Sequence, residues 1–155
     1  MGFEFFQKRH SAPQFFFSEK EKEQIVAAIR NLEYKTSAEI RVHIERRKSE
    51  MDVMAQARDA FERIGMTATN KRNGVLIFIS SDTPDFAILG DELIDKELPE
   101  DFWNEIVRGM QAHFRENRFA DGIVEAIMKT GESLKEYFPY HSDDQNELPD
   151  DISVE

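Results

Sequence analysis

A chain of 155 residues with 31 acidic against 20 basic side chains carries a formal charge of -11, which repels phosphate backbones and anionic membranes and argues against nucleic acid as a partner. The length suits one hydrophobic core, and the absence of cysteine removes disulfides, thiolate zinc sites and cysteine nucleophiles. The opening "MGFEFFQKRHSAPQFFF" interrupts its aromatic residues with Glu4, Lys8, Arg9 and Pro13, and no stretch approaches the roughly 20 apolar residues that span a bilayer, so a soluble, cytoplasmic protein without membrane insertion is expected.

The chain divides into an aromatic-rich segment (1–17), a folded body (18–138) and an acidic tail (139–155). Six of the thirteen Phe lie in the first segment, and Phe15 to Phe17 are expected to pack against the body, because so many rings left in water would form a large apolar patch. Ser18 followed by Glu21 forms a capping-box signal, and Ile25, Val26, Ile29 and Leu32 then recur at helical spacing. "SAEIRVHIE" alternates: Ala38, Ile40, Val42 and Ile44 share one face, Glu39, Arg41, His43 and Glu45 the other, as in a strand near a sheet edge. Residues 51–64 place Val53, Ala57, Phe61 and Ile64 on one stripe of a second helix ending near Gly65. "NGVLIFIS" is apolar from Val75 to Ile79, the mark of a central strand buried on both faces. The polar turn "SSDTPD" then returns the chain as a hairpin into "FAIL".

Pro99 suits the first turn of a third helix carrying Trp103, Ile106, Met110 and Phe114, and Asp121-Gly122 opens a fourth with Ile123, Ile127, Leu134 and Phe138. Trp103 on that apolar face is read as core rather than as a stacking platform. Strand, helix, strand implies a right-handed crossover between parallel neighbours, and the hairpin adds an antiparallel strand. The expected fold is α/β: a three-layer α/β/α sandwich with a small mixed sheet flanked by helices. The last stretch, "YHSDDQNELPDDISVE", has six acidic residues and no Lys or Arg. It reads first as a solvated tail, although Leu148 and Ile152 offer apolar anchors that would dock it and hold Asp143, Asp144 and Glu147 in place.

This topology brings the starts of the first two strands and the end of the third to one rim. Glu39, Asn73 and Asp91 become neighbours there, with Glu92 and Asp95 close by. Carboxylate, amide and backbone oxygens are the ligands of hard cations, so Ca²⁺ or Mg²⁺ is the expected cofactor. Gly74 and Gly90 allow the backbone to approach closely. The plain alternative is that Asp91 and Asp95 cap a short helix or turn and Glu39 pairs with Arg41 or Arg72. A second location is the opposite rim, with Ser80, Ser81, Asp82 and Asp85, where turn formation is the plainer role. The tail ligands Asp143, Asp144 and Glu147 lack EF-hand glycine and spacing. His10, His43, His113 and His141 show no HExxH spacing and are read as surface or partly buried residues. No G-x-S-x-G elbow, Walker loop or G-x-G-x-x-G occurs.

The ordered set "SAEIRVHIE", "RNGVLIFIS", "FAILGDELID", "FW" and "HFRENRFADGIVEAI" resembles the TPM domain family, named for a thylakoid lumen protein, a photosystem II repair protein and a receptor modulator. The similarity spans roughly 18–138, and the tail is similar to that of a short soluble bacterial branch. The resemblance implies an α/β/α sandwich and divalent-cation binding; an acid-phosphatase activity is attached to plant members. Where many members have a "GxGxE" turn after the third strand, this chain has "GDELID". The expectation is a Ca²⁺- or Mg²⁺-binding domain that acts through a protein partner. The alternatives are a metal-dependent phosphomonoesterase with Asp91 or Glu39 as ligand and Arg72 or Lys71 facing the substrate, and an interaction scaffold using the acidic tail.

Overall fold

The computed structural model describes residues 9–141 and 146–155. After a single 3-10 turn at Pro13–Phe15, the elements are α1 (Glu19–Leu32), β1 (Glu39–Glu45), α2 (Val53–Arg63), β2 (Gly74–Ser80), β3 (Phe86–Gly90), α3 (Glu92–Glu97), α4 (Asn104–Arg115), α5 (Phe119–Leu134) and β4 (Ser153–Val154). The sheet order is β3-β2-β1-β4; β1 runs parallel to β2 and β4, and β3 antiparallel to β2.

The alternation of β1 and β2 sorts two cores. Ile40, Val42, Ile44, Val75, Ile77 and Ile79 face α1, α4 and α5, meeting Ile25, Ile29, Met110, Ile123 and Ile127. On the other face Leu76 and Phe78 meet Ala57, Ala60 and Phe61 of α2, with Met66 and Leu148. β2 is buried along its whole length, which is why its sequence is apolar without alternation. The result is the expected α/β/α sandwich. Among the described residues no helix is long and apolar enough to cross a membrane.

Ser18 and Glu21 form the capping box of α1, and Asp52 caps α2, accepting from the Ala55 N–H. Gly65 follows α2 at φ 80°, a left-handed position that suits glycine.

Several expectations change. The third helix begins at Asn104, not Pro99. Leu98, pushed into extended backbone by the proline after it, ends α3 instead, and two turns, Phe102 N–H to Pro99 O and Asn104 N–H to Asp101 O, lead into α4. The fourth helix starts two residues before Asp121, at Phe119. Left-handed Asn117 (φ 61°) closes the preceding helix, and burial of Phe119 against Phe16 and Phe114 sets the new start. Phe138 lies beyond that helix, its carbonyl accepting from the Ser37 N–H. Phe16 and Phe17 are buried, whereas Phe15 is 62% exposed; Phe3, Phe5 and Phe6 lie outside the described residues.

The largest change concerns the tail. Residues 146–155 dock rather than extend into solvent: Leu148 is buried, Ile152 packs against the larger core, and Ser153–Val154 pair with His43–Ile44. The supposed edge strand β1 is therefore an inner strand along part of its length. Its polar face is covered, with His43 fully buried rather than at the surface.

Candidate functional site

The register sets Glu39 beside Gly74 and Val75 beside Gly90, so Glu39, Asn73 and Asp91 stand at one rim of the sheet. Their side chains divide into two groups.

The first group is Asp91, Glu92 and Asp95. Asp91 Oδ1 accepts the Glu92 N–H at 2.8 Å, capping α3. The Arg72 guanidinium forks onto the same carboxylate, Nε to Oδ2 at 2.7 Å and Nη2 to Oδ1 at 2.8 Å. Such planar two-point pairing uses the strongest acceptor directions of the carboxylate and raises the arginine proton affinity further. Glu92 is 3.7 Å from Arg72 Nη1. Asp95 is pushed up by burial and then by the Asp91 charge. Gly90 has a packing role: a Cβ there would lie 2.3 Å from Ile94 Cγ2.

The second group gathers on the tail side. Glu39 Oε1 accepts the backbone N–H groups of Glu147 (2.6 Å) and Leu148 (2.9 Å). This buried carboxyl is raised by desolvation, which outweighs those bonds, and by the charges of Glu147 and Asp150. Glu33, just past α1, is raised to about 8 by burial, by a hydrogen bond with Asp150 and by the Asp150 and Glu39 charges. Asp150 also accepts from Asn146 Nδ2 at 2.9 Å and lies 3.5 Å from Arg30 Nε. Asn73 donates to the Ser37 carbonyl at 2.9 Å, and its buried Oδ1 has no hydrogen-bond partner among the described residues. A cleft of about 170 Å³ opens here, lined by Glu33, Ser37, Glu39, Tyr140 and Asn146. The Glu147 carboxylate itself accepts the Asn70 N–H at 3.1 and 3.2 Å; the rim thus keeps Glu39 and the tail together and separates them from the Arg72-paired group. Glu33 and Asp150 were missed by sequence reasoning; the only signal was the acidic run around Asp150, and nothing local links it to a residue 117 positions earlier. Asp143 and Asp144 lie outside the described residues.

At the opposite rim Asp82 Oδ1 accepts from the Arg47 N–H (2.9 Å) and from Ser80 Oγ (3.0 Å). Asp85 Oδ2 accepts from Arg47 Nε (3.0 Å) and Thr83 Oγ1 (2.9 Å). These bonds build the hairpin turn.

Sequence reasoning also missed a buried network beneath α2. Glu45 accepts from His43 Nε2 (2.8 Å), Gln56 Nε2 (2.7 Å) and Arg63 Nη2 (3.0 and 3.1 Å). His43 Nδ1 meets Ser153 Oγ of β4 at 2.9 Å. Because a carboxylate only accepts, the imidazole proton sits on Nε2 and Ser153 donates to Nδ1. Burial first, and Arg63 and Arg41 after it, hold His43 below its ordinary value despite Glu45. His43, Glu45 and Glu155 can bring one ligand atom each within 4.8 Å of one another. Arg63, however, binds both Glu45 oxygens and Glu155, occupying lone pairs and adding a positive charge that opposes a cation.

The sequence model of the TPM domain matches residues 12–133. Comparison with curated proteins gives no match. Among solved structures, the NMR structure of BA42 protein from the psychrophilic bacterium Bizionia argentinensis is 41% identical, with a TM-score of 0.85 over 90% of this chain and 96% of that one. The N-terminal domain of a protein from P. gingivalis shares the fold at 19% identity, with a TM-score of 0.63 over 81% of this chain and 80% of that one. With the family match spanning most of its length, the chain belongs to the TPM domain family.

Proposed function

We propose that the protein is a divalent-cation-binding TPM domain that acts through a protein partner, with Ca²⁺ or Mg²⁺ held by Glu33, Glu39 and Asp150. Asn73 and Glu147 complete the oxygen set. The supporting observation is that Glu33, Glu39 and the tail residue Asp150 meet at one cleft, where Glu33 shares a hydrogen bond with Asp150 and is raised to about 8, first by burial and then by the Asp150 and Glu39 charges. A proton there relieves the repulsion that a cation would relieve better. The donors are all oxygen, as hard cations require, and the partnerless Oδ1 of Asn73 stands at the same rim. Bound there, the cation would tie the tail to the body and stabilise the fold by about 2.7 kcal/mol at a hundredfold excess over its Kd. Asp91, Glu92 and Asp95 are the weaker location, because Arg72 neutralises their central member. Phosphomonoester hydrolysis also has less support, since Arg72, one of the two cations expected to face a phosphate, is committed to Asp91.

The test is titration of chelator-treated protein with CaCl₂ and MgCl₂, followed by backbone amide NMR. Saturable shifts at Glu33, Glu39 and Asp150 that disappear in Asp150→Asn support the reading. Shifts centred on Glu92–Asp95 or on His43 would move the site, and no saturable shift would refute cation binding.

A further inference from the structure

At one long edge of the sheet the outward backbone groups have no partner among the described residues. β3 ends the strand order, and its ladder bonds identify which backbone groups look outward. Ser80 N–H bonds Asp85 O at 3.0 Å and Asp91 N–H bonds Gly74 O at 2.9 Å. Antiparallel pairs alternate between bonded and non-bonded positions, so Asp85, Ala87, Leu89 and Asp91 turn toward β2, whereas Phe86 and Ile88 direct their N–H and C=O groups away. Among the described residues none bonds these outward groups. Natural sheet edges are usually guarded by charge, proline or a bulge; "FAILG" has none of these.

Beside this edge runs a groove of about 640 Å³, lined by Met54, Phe86, Ile88, Trp103, Val107 and Phe114 among others. Phe86 and Phe114 meet edge to face with centroids 5.2 Å apart, giving the groove an aromatic wall. Asp85 and Glu100 stand in its lining against Arg115, and the chain as a whole carries -11. That field repels a second copy of this chain and attracts a cationic segment.

We propose that β3 and this groove form a docking site for an extended segment of a partner protein, with apolar side chains at alternate positions and Lys or Arg at its ends, which adds to the sheet beside β3. Main-chain bonds to Phe86 and Ile88 supply the pairing. Every second side chain enters the apolar groove, and the basic ends meet Glu100 and the acidic field of the chain. This is strand addition, in which backbone pairing gives affinity and pockets for alternate residues give selectivity. It names the partner chemistry within the reading above and uses none of the cation ligands, so either can fail alone.

The probe is a short blocked peptide alternating valine and threonine between terminal lysines, added to full-length protein without divalent cations and followed by amide NMR. The expected result is saturable shifts at Phe86–Gly90 and Val107, with amide exchange at Phe86 and Ile88 slowed at least about tenfold. Glutamate in place of the terminal lysines, N-methylation of the pairing amides, or Val107→Lys with an otherwise unchanged spectrum should each weaken binding about tenfold or more. Absence of saturable shifts at β3, or binding indifferent to N-methylation, overturns the proposal. So does binding seen only when Phe3→Ser, Phe5→Ser and Phe6→Ser are combined, which would make the chain's own N-terminal segment the occupant.

Discussion

Removing the Glu45 carboxylate tests whether the buried network beneath α2 holds the tail strand to the body. In Glu45→Ala the Nε2–H of His43, a ring with 0% exposure, loses its acceptor, costing about 1–3 kcal/mol. The charge-assisted bond from Gln56 contributes about another 1.5 kcal/mol. Arg63, whose side chain is 31% exposed, rehydrates and adds little. The total is about 2.5–4.5 kcal/mol, near the range of other broken buried pairs and a large share of the stability of about 5–15 kcal/mol usual for a domain. With a urea slope of about 2 kcal/mol/M, the midpoint at pH 7.5 should fall by roughly 1.2–2.3 M. Glu45→Leu combined with His43→Phe should recover about half of that loss, because the imidazole is removed together with its acceptor, while the buried Gln56 still loses the acceptor of one N–H. A single-mutant loss below about 1 kcal/mol would refute the reasoning.

The same network sets an acid response. Burial raises the Glu45 carboxyl, but bonds from Gln56, His43 and Arg63 outweigh it and hold it below its ordinary 4.5; His43 is held below 6.5. Both contributions are present above the unfolded values and are lost as pH falls through the folded ones. Glu39 and Asp95, both raised, oppose this trend, so the network is read as the difference in urea stability between Glu33→Gln and Glu33→Gln carrying His43→Phe and Glu45→Leu; that difference should be flat above about pH 7 and shrink from about pH 6.5 downward, and a difference flat to pH 4 would contradict the assignment. Glu33 has the opposite sign: raised from 4.5 to about 8, its contribution is present below 4.5 and lost as pH rises through about 8. Glu33→Gln should hence raise the Tm at pH 8 in chelator and shrink the further rise given by Ca²⁺; an unchanged Tm would show that the carboxylates are not crowded. Gly90→Ala should cost about 1–3 kcal/mol in urea unfolding, because the new methyl overlaps Ile94, and a neutral outcome would contradict that packing. Leu148→Ala should cost about 2–4 kcal/mol and speed exchange of the Glu155 N–H, which bonds Ile44 O at 3.0 Å; exchange unchanged at Glu155 would mean that the tail is anchored elsewhere.

Much of the fold was legible because its signals are local. The α1 capping box, the alternation of β1 and the apolar run of β2 each follow from a spacing that only one backbone geometry satisfies. The starts of α4 and α5 were not. A proline terminated the helix before it, and a buried phenylalanine outranked an aspartate as the place to begin. The rim was legible as a rim, since strand direction alone brings Glu39, Asn73 and Asp91 to one end of the sheet. Which carboxylates are neutralised there was not legible, because Arg72 reaches Asp91 through a left-handed backbone at φ 54°.

The sequence by itself determined the layered α/β/α architecture, the two faces of the sheet and the end at which the acids gather, because period and burial are written residue by residue. Tertiary structure alone decided the fate of the tail. Its charge argues for water, yet Leu148 fills the space above Gly74, the Glu39 carboxylate accepts two tail N–H groups, and Ser153 pairs beside His43. These contacts join residues 74 to 110 positions apart, so Leu148 and Ile152 could be read as anchors but their seats on the body could not, and together the contacts bring Asp150 to Glu33.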